Sequence, residues 1–324
     1  TRLQGDWSSD VCSSDLETAG AATAFLLITF GITLAAPAVS ASAAREPARA
    51  RSAMVASQHE LASKIGVEVM RRGGNAVDAA IAVGIALAVV YPEAGNIGGG
   101  GFMLIRLKDG KTHAIDYREM APAAAHRDIF VDKDGNVIRG EGGSTIGYRA
   151  SGVPGTIAGF EMALAKFGSG KLKWKDLIEP SIPLARDGYV LTNRLASLLE
   201  GYKEHLSKYP DSNRIFLNNG KYFKEGDLFK QPELAMTLKR IAEKGPREFY
   251  EGETAKLIAS DMKANNGLIT LEDLKNYKAK ERTPIRGTYR GHEIISMPPP
   301  SSGGIDMLQV LNMLDRKSTR LNSS

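Results

Sequence analysis

The first third of the chain changes its apolar period several times, and each change marks an element. Met54-Val55-Ala56-Ser57 reads as a short strand. Ser57 and Glu60 then stand at capping-box spacing and open a helix with Leu61, Ile65 and Val69 on one face, stopped by Gly73-Gly74. Asn75 caps a second helix, Ala76 to Tyr91, which is apolar nearly all round, carries Asp78 in its first turn and ends at Pro92. It is shorter than the ~20 apolar residues that span a bilayer, so it reads as a buried core helix.

A glycine run, Gly95 to Gly101, comes next, with strands at Phe102–Leu107 and Lys111–Tyr117 joined at Asp109-Gly110. The run follows a helix and precedes a strand, and no Gly-Lys-Ser/Thr closes it, so it is not a nucleotide-binding loop. Consecutive glycines instead let the backbone pass close to another element or a ligand. Arg118 stands directly after the second strand and offers a guanidinium fork suited to a carboxylate. A salt bridge to Asp116 or Glu119 is the equally good alternative on these residues alone.

The remainder is mostly helical in period. After a turn-rich stretch at 131–152, helices are expected at Thr156–Phe167, at 174–187 with interruptions at Pro180 and Pro183, and at 193–207, 232–244, 253–264 and 271–277. Thr270 and Asp273 cap the last of these. Lys208–Phe229 reads as a polar, irregular surface excursion. A second hairpin, Thr283–Tyr289 and His292–Met297, turns at Arg290-Gly291, and Pro298-Pro299-Pro300 stiffens the approach to a helix, Ser302–Leu314, capped by Ser302. The fold class is mixed α/β (α+β).

Composition removes whole classes. With 43% hydrophobic and 24% charged residues, the chain is neither collagen-like nor wholly disordered. A single cysteine, Cys12, forms no internal disulfide. The net charge of +5 is spread along the chain, and the Lys-rich 171–175 reads as a solvated helix start, so no nucleic-acid partner is expected.

The two ends stand apart from this pattern. Residues 1–16 and 317–324 share Thr-Arg-Leu and Ser-Ser elements without an apolar period and read as foreign adaptor sequence. Residues 17–44 read as a signal peptide: an apolar core, Ala21–Ala36, leads to Ala41-Ser42-Ala43, an A-x-A cleavage site. The chain is therefore expected to be exported, periplasmic or extracellular, without a stable membrane span, with a body at 45–316.

The chemistry visible in the residues is sparse. The five histidines (59, 113, 126, 205 and 292) stand singly, neither H-E-x-x-H nor C-x-x-C occurs, and there is no G-x-S-x-G elbow. No metal and no cofactor is expected. Ser301-Ser302-Gly303-Gly304 at a helix N-terminus could receive an anion, although capping alone accounts for it.

Six segments in order, MVASQHELASKIGVEVMRRGGNAVDAAIA, GNIGGGGFMLIR, DYREMAP, SGVPGTIAGF, ERTPIRGTYRG and SMPPPSSGG, closely resemble the γ-glutamyltranspeptidase family from about Ala53 to Leu314. The resemblance implies an N-terminal-nucleophile hydrolase with an αββα sandwich, incomplete in this chain. It implies an exported precursor that cuts itself into large and small subunits. It also implies that the new N-terminal Thr of the small subunit attacks the γ-carbonyl of glutathione or another γ-glutamyl compound, its α-amino group serving as base. The γ-glutamyl group then passes to water or to an amino acid or peptide.

The residue that carries over is Arg118, in DYREMAP, which in the family binds the α-carboxylate of the γ-glutamyl group. No Thr-Thr-His-type run occurs, so the nucleophile is expected to lie outside this sequence, in a small subunit from the same precursor. A fragment inactive by itself is the resulting expectation. The alternatives are a related acylase acting on β-lactam (cephalosporin) side chains and a noncatalytic carboxylate-binding fragment.

Overall fold

The computed structural model describes residues 47–321. The segments read as foreign sequence (1–16) and as an export signal (17–44) lie outside the described residues, whereas the backbone of 317–321 continues the final helix.

In chain order the elements are α1 (Glu60–Arg71), α2 (Ala76–Val90), β1 (Phe102–Arg106), β2 (Thr112–Asp116), α3 (Thr156–Phe167), α4 (Trp174–Ile178), α5 (Ser181–Arg186), β3 (Tyr189–Val190), α6 (Asn193–Gly201), α7 (Lys203–Leu206), α8 (Pro210–Phe216), β4 (Leu228–Phe229), α9 (Pro232–Lys244), α10 (Arg247–Glu251), α11 (Glu253–Ala264), α12 (Leu271–Asn276), β5 (Lys280–Arg282), β6 (Ile285–Tyr289), β7 (His292–Ser296) and α13 (Gly303–Leu321). Mixed α and β structure is thus as expected.

The all-round apolar sequence of α2 is answered by packing on every side. Ile81, Ala82, Ile85, Ala86, Val89 and Val90 are fully buried, with α1, α3, α4 and α5 set against the helix. Its cap forms as expected. Asn75 Oδ1 accepts from the Val77 and Asp78 N–H groups at 2.9 and 3.0 Å, and Asp78 Oδ2 accepts from Asn75 N–H at 2.8 Å. Asp78 also accepts from Ser169 N–H at 3.1 Å, which ties the start of α2 to the end of α3 and leaves this fully buried carboxylate hydrogen-bonded.

The start of α1 differs from the expected box. The helix begins at Glu60 and its cap is His59, whose Nδ1 accepts from Leu61 N–H at 3.2 Å. Burial lowers the His59 pKa, which favours the neutral ring that such an acceptor requires. Ser57 Oγ instead donates to the His59 carbonyl at 3.0 Å and meets Ser63 Oγ at 2.8 Å. Met54–Ser57 pairs with no strand among the described residues and forms irregular chain.

Three antiparallel strands in the order β1-β2-β5 form the sheet that carries the site. Asp116 stands opposite Lys280, and Ala114 opposite Arg282. The hairpin β6-β7 turns at Arg290 and Gly291 with φ of 47° and 79°, the left-handed pair a two-residue turn requires.

Two other expectations change. The helix expected at 193–207 breaks at Tyr202, which caps α6 and opens α7. The stretch 208–229 is anchored, not a surface excursion. It contains α8, Leu217 and Phe229 are buried, and the Phe229 ring lies 5.2, 5.8 and 6.1 Å from those of Phe223, Tyr189 and Phe216. A few aromatic anchors among many polar residues suffice to fold such a segment onto the core.

Candidate functional site

Arg118 emerges from the core at the end of the β1-β2 hairpin. Ala114, Ile115, Asp116 and Tyr117 are buried in succession, and Arg118 is the first exposed residue after them. Its backbone is held from four directions. Tyr117 and Gly101 exchange N–H···O bonds at 3.1 and 3.3 Å. Met120 and Val153 do the same at 3.2 and 2.7 Å, just past the arginine. Asp116 Oδ1 accepts from Arg118 N–H at 3.1 Å, and the Tyr277 hydroxyl donates to the Arg118 carbonyl at 2.7 Å. Burial, aided by the charges of Asp116 and Glu119, raises the Tyr277 pKa and keeps that phenol a donor.

The glycine run is part of this clamp. A Cβ on Gly100 would stand 2.5 Å from the Tyr117 carbonyl oxygen and 2.8 Å from the Glu119 nitrogen, so only glycine fits against the Arg118 backbone. Its neighbour Gly99 gives its carbonyl to the Gly155 and Thr156 N–H groups at 2.7 and 3.1 Å, at the start of α3. Asn96 Oδ1 accepts from Gly99 N–H at 3.0 Å and from the Thr156 hydroxyl at 2.6 Å. The close approach expected of the run is therefore to the chain's own elements.

The guanidinium of Arg118 donates from Nη1 to the Pro300 carbonyl at 3.3 Å. Among the described residues no carboxylate stands at ion-pair distance from it. The intramolecular alternative read from sequence is removed by a residue far along the chain. Asp116 Oδ2 accepts from Nε and Nη2 of Arg282 at 3.1 and 2.9 Å, and this charge-assisted pair engages the carboxylate two residues before Arg118. Glu119 is exposed and points to no cation at ion-pair distance among the described residues.

These groups line an open cleft of about 290 Å³, bounded by Asp116, Arg118, Glu119, Met120, Tyr277, Lys278, Lys280, Arg282 and Pro300. The Pro300 contact sets the arginine head beside the residue that precedes Ser301-Ser302-Gly303-Gly304. At that helix start the Ser302 carbonyl accepts from Asp306 N–H at 3.0 Å, the first bond of α13. Sequence reasoning found Arg118 and the glycine run but missed Arg282, Tyr277, Lys278, Lys280 and Pro300. Each lies more than 150 positions further along the chain; the β2-β5 pairing brings in residues 277–282, and Pro300 arrives separately, with the segment between β7 and α13.

Chemically, the cleft offers a bidentate anion-binding fork on a rigid strand end, with neighbouring cations and a hydroxyl held in place. Among the described residues it presents no Ser, Thr or Cys nucleophile beside a base.

The family model described as gamma-glutamyltranspeptidase matches residues 62–324. The chain is 53% identical over 270 residues to a glutathione hydrolase proenzyme from Escherichia coli, across 83% of this chain and 46% of that protein. It therefore spans about half the length of the curated relatives it matches. Among solved structures, the Helicobacter pylori gamma-glutamyltranspeptidase superposes with a TM-score of 0.80 at 48% identity, covering 83% of this chain and 76% of that one. A cephalosporin acylase from Bacillus halodurans gives 0.68 at 27% identity, covering 79% and 49%. The match over four fifths of the chain, at more than half identity, is decisive: this chain belongs to the γ-glutamyltranspeptidase family.

Proposed function

We propose that this chain is the donor-anchoring part of an exported glutathione hydrolase/γ-glutamyltransferase, with Arg118 holding the α-carboxylate of the γ-glutamyl group. The observation that carries the reading is the Arg118 guanidinium itself, placed at a cleft with its neighbouring carboxylate already taken by Arg282. A fork left without an acidic partner on a rigid strand end suits a carboxylate from a ligand.

The remainder of the precursor supplies the nucleophile, a Thr exposed as a new N-terminus by self-cleavage. Its Oγ attacks the γ-carbonyl carbon, its own α-amino group takes the proton, and the amide C–N bond breaks as the leaving amine is protonated. Water or an amino acid then attacks the resulting ester, yielding glutamate or a new γ-glutamyl compound. Throughout, Arg118 fixes the register of the γ-carbonyl by holding the far end of the same glutamyl group. The apolar segment and A-x-A site at 21–44 support delivery to the periplasm or the outside.

The test is turnover of a γ-glutamyl anilide by the full-length gene product. Arg118→Ala is expected to lower kcat/KM by an amount equivalent to about 2–5 kcal/mol, the cost of truncating one partner of a hydrogen-bonded charge pair that the bound ligand shields from water. Arg118→Lys should restore part of it, because an ammonium lacks the bidentate fork. Unchanged kcat/KM in the Ala variant removes Arg118 from the site. Faster cleavage of a β-lactam side chain than of any γ-glutamyl compound turns the assignment to the acylase branch.

A further inference from the structure

The cleft holds more positive charge than one carboxylate needs. Strand periodicity explains how it is collected. Within β5, residues 280 and 282 alternate with Glu281, which lies on the opposite side in contact with Lys166 and His113, and Lys278 precedes the strand between the buried Tyr277 and Ala279. Lys280 stands opposite Asp116 in the β2-β5 register, and Arg118 lies two residues beyond Asp116, on the same face. Lys278, Lys280, Arg282 and Arg118 consequently all line one cleft.

Two carboxylates share that lining, and they do not neutralise it. Asp116 is buried and engaged by Arg282. Glu119 makes no ion pair among the described residues. Lys278 and Lys280 are exposed and, like Arg118, have no carboxylate at ion-pair distance among the described residues. Bringing three unpaired cations around one concavity of about 290 Å³ costs repulsion that an anionic ligand relieves.

Resting on the donor-anchoring role of Arg118, we infer that Lys278 and Lys280 form a second anion subsite in this cleft, which selects γ-glutamyl compounds carrying a further carboxylate beyond the glutamyl α-carboxylate. The substrate class is then a γ-glutamyl peptide with a free C-terminal carboxylate, preferred over the same compound capped as an amide. Arg118 serves both, whereas the lysines serve only the dicarboxylate.

The test compares γ-glutamylglycine with γ-glutamylglycinamide, by turnover and by calorimetric binding, in the full-length protein and in its Lys278→Gln/Lys280→Gln variant. The parent should favour the dicarboxylate by roughly five- to tenfold, the size expected for two partly screened cations, and the preference should shrink in high salt. The double variant should lose that preference while handling the amide as the parent does. Equal use of the two compounds by an active parent overturns the subsite and leaves the enzyme assignment standing. Preferential binding of the dicarboxylate without turnover of either compound keeps the subsite and removes the enzyme assignment. A variant that loses both compounds alike also overturns the subsite, with circular dichroism and a thermal melt identifying any loss of fold.

Discussion

Two glycines in one run illustrate how much a single methyl group can weigh beside Arg118. A Cβ on Gly100 meets the backbone of residues 117–119, whereas a Cβ on Gly98 has nothing within 4 Å. Neither position sits at positive φ, so space alone separates them. Gly100→Ala is expected to destabilise the protein by about 1–3 kcal/mol, the usual cost of overpacking, and to displace the Arg118 backbone. Gly98→Ala should stay within about 0.5 kcal/mol of the parent. Paired chemical-denaturation curves check both, and equal losses at the two positions would show that the run tightens everywhere, not just against the Arg118 segment.

At the scale of elements, local signals were readable and long-range ones were not. The α2 cap, the turn at Arg290-Gly291 and the Thr270/Asp273 cap of α12 rest on neighbours within a few residues, and all formed as the sequence pattern indicates. Arg118 was legible because it follows a strand directly. Its freedom from Asp116 was not, since Arg282 reaches that carboxylate from a strand of three residues whose period is too short to detect. The cap at His59 was missed because a histidine accepts there only when neutral, a state its burial favours.

Strand β5 is also clamped on its other face, where Glu281 meets Lys166 Nζ at 2.6 Å and His113 Nδ1 at 2.7 Å. Those two hydrogen bonds, the lysine's first, lower the Glu281 pKa. Because the folded value lies below that of the unfolded chain, the unfolded state binds protons more readily as pH falls. The clamp's contribution is therefore fully present above about pH 4.3 and disappears as pH drops through the lower folded value. Glu281→Gln should cost about 0.5–1 kcal/mol at neutral pH, a size limited by the partial exposure of the pair. Parent and variant should converge at acidic pH, once the Glu281 carboxylate is protonated in the folded as well as the unfolded state. Urea titrations at the two pH values measure this, and a constant difference would mean that the carboxylate charge plays no part in holding β5.

At the scale of the molecule, the apolar surface is distributed as if more chain belongs on it. Among the described residues β1 has a partner on one edge only, and beside it lies a cavity of about 460 Å³ walled by Val55, Val83, Leu87, Met103 and Phe160. On α13, Ile305, Met307, Val310, Met313 and Leu314 are all exposed, Met313 at 61%. An open strand edge and a row of exposed large apolar side chains favour association. Residues 47–321 produced alone should accordingly bind a hydrophobic dye, associate in a concentration-dependent way and melt without a sharp transition. Replacing Val310 and Met313 by Gln should reduce dye binding and association of that chain. In a protein of the relatives' length the same double substitution should have the opposite effect, lowering stability by about 2 kcal/mol per position if those side chains become buried there. The opposite signs separate a surface awaiting further chain from one that is merely sticky. A monodisperse, cooperatively melting 47–321 that ignores the dye would show that α13 and the β1 edge need nothing more to cover them.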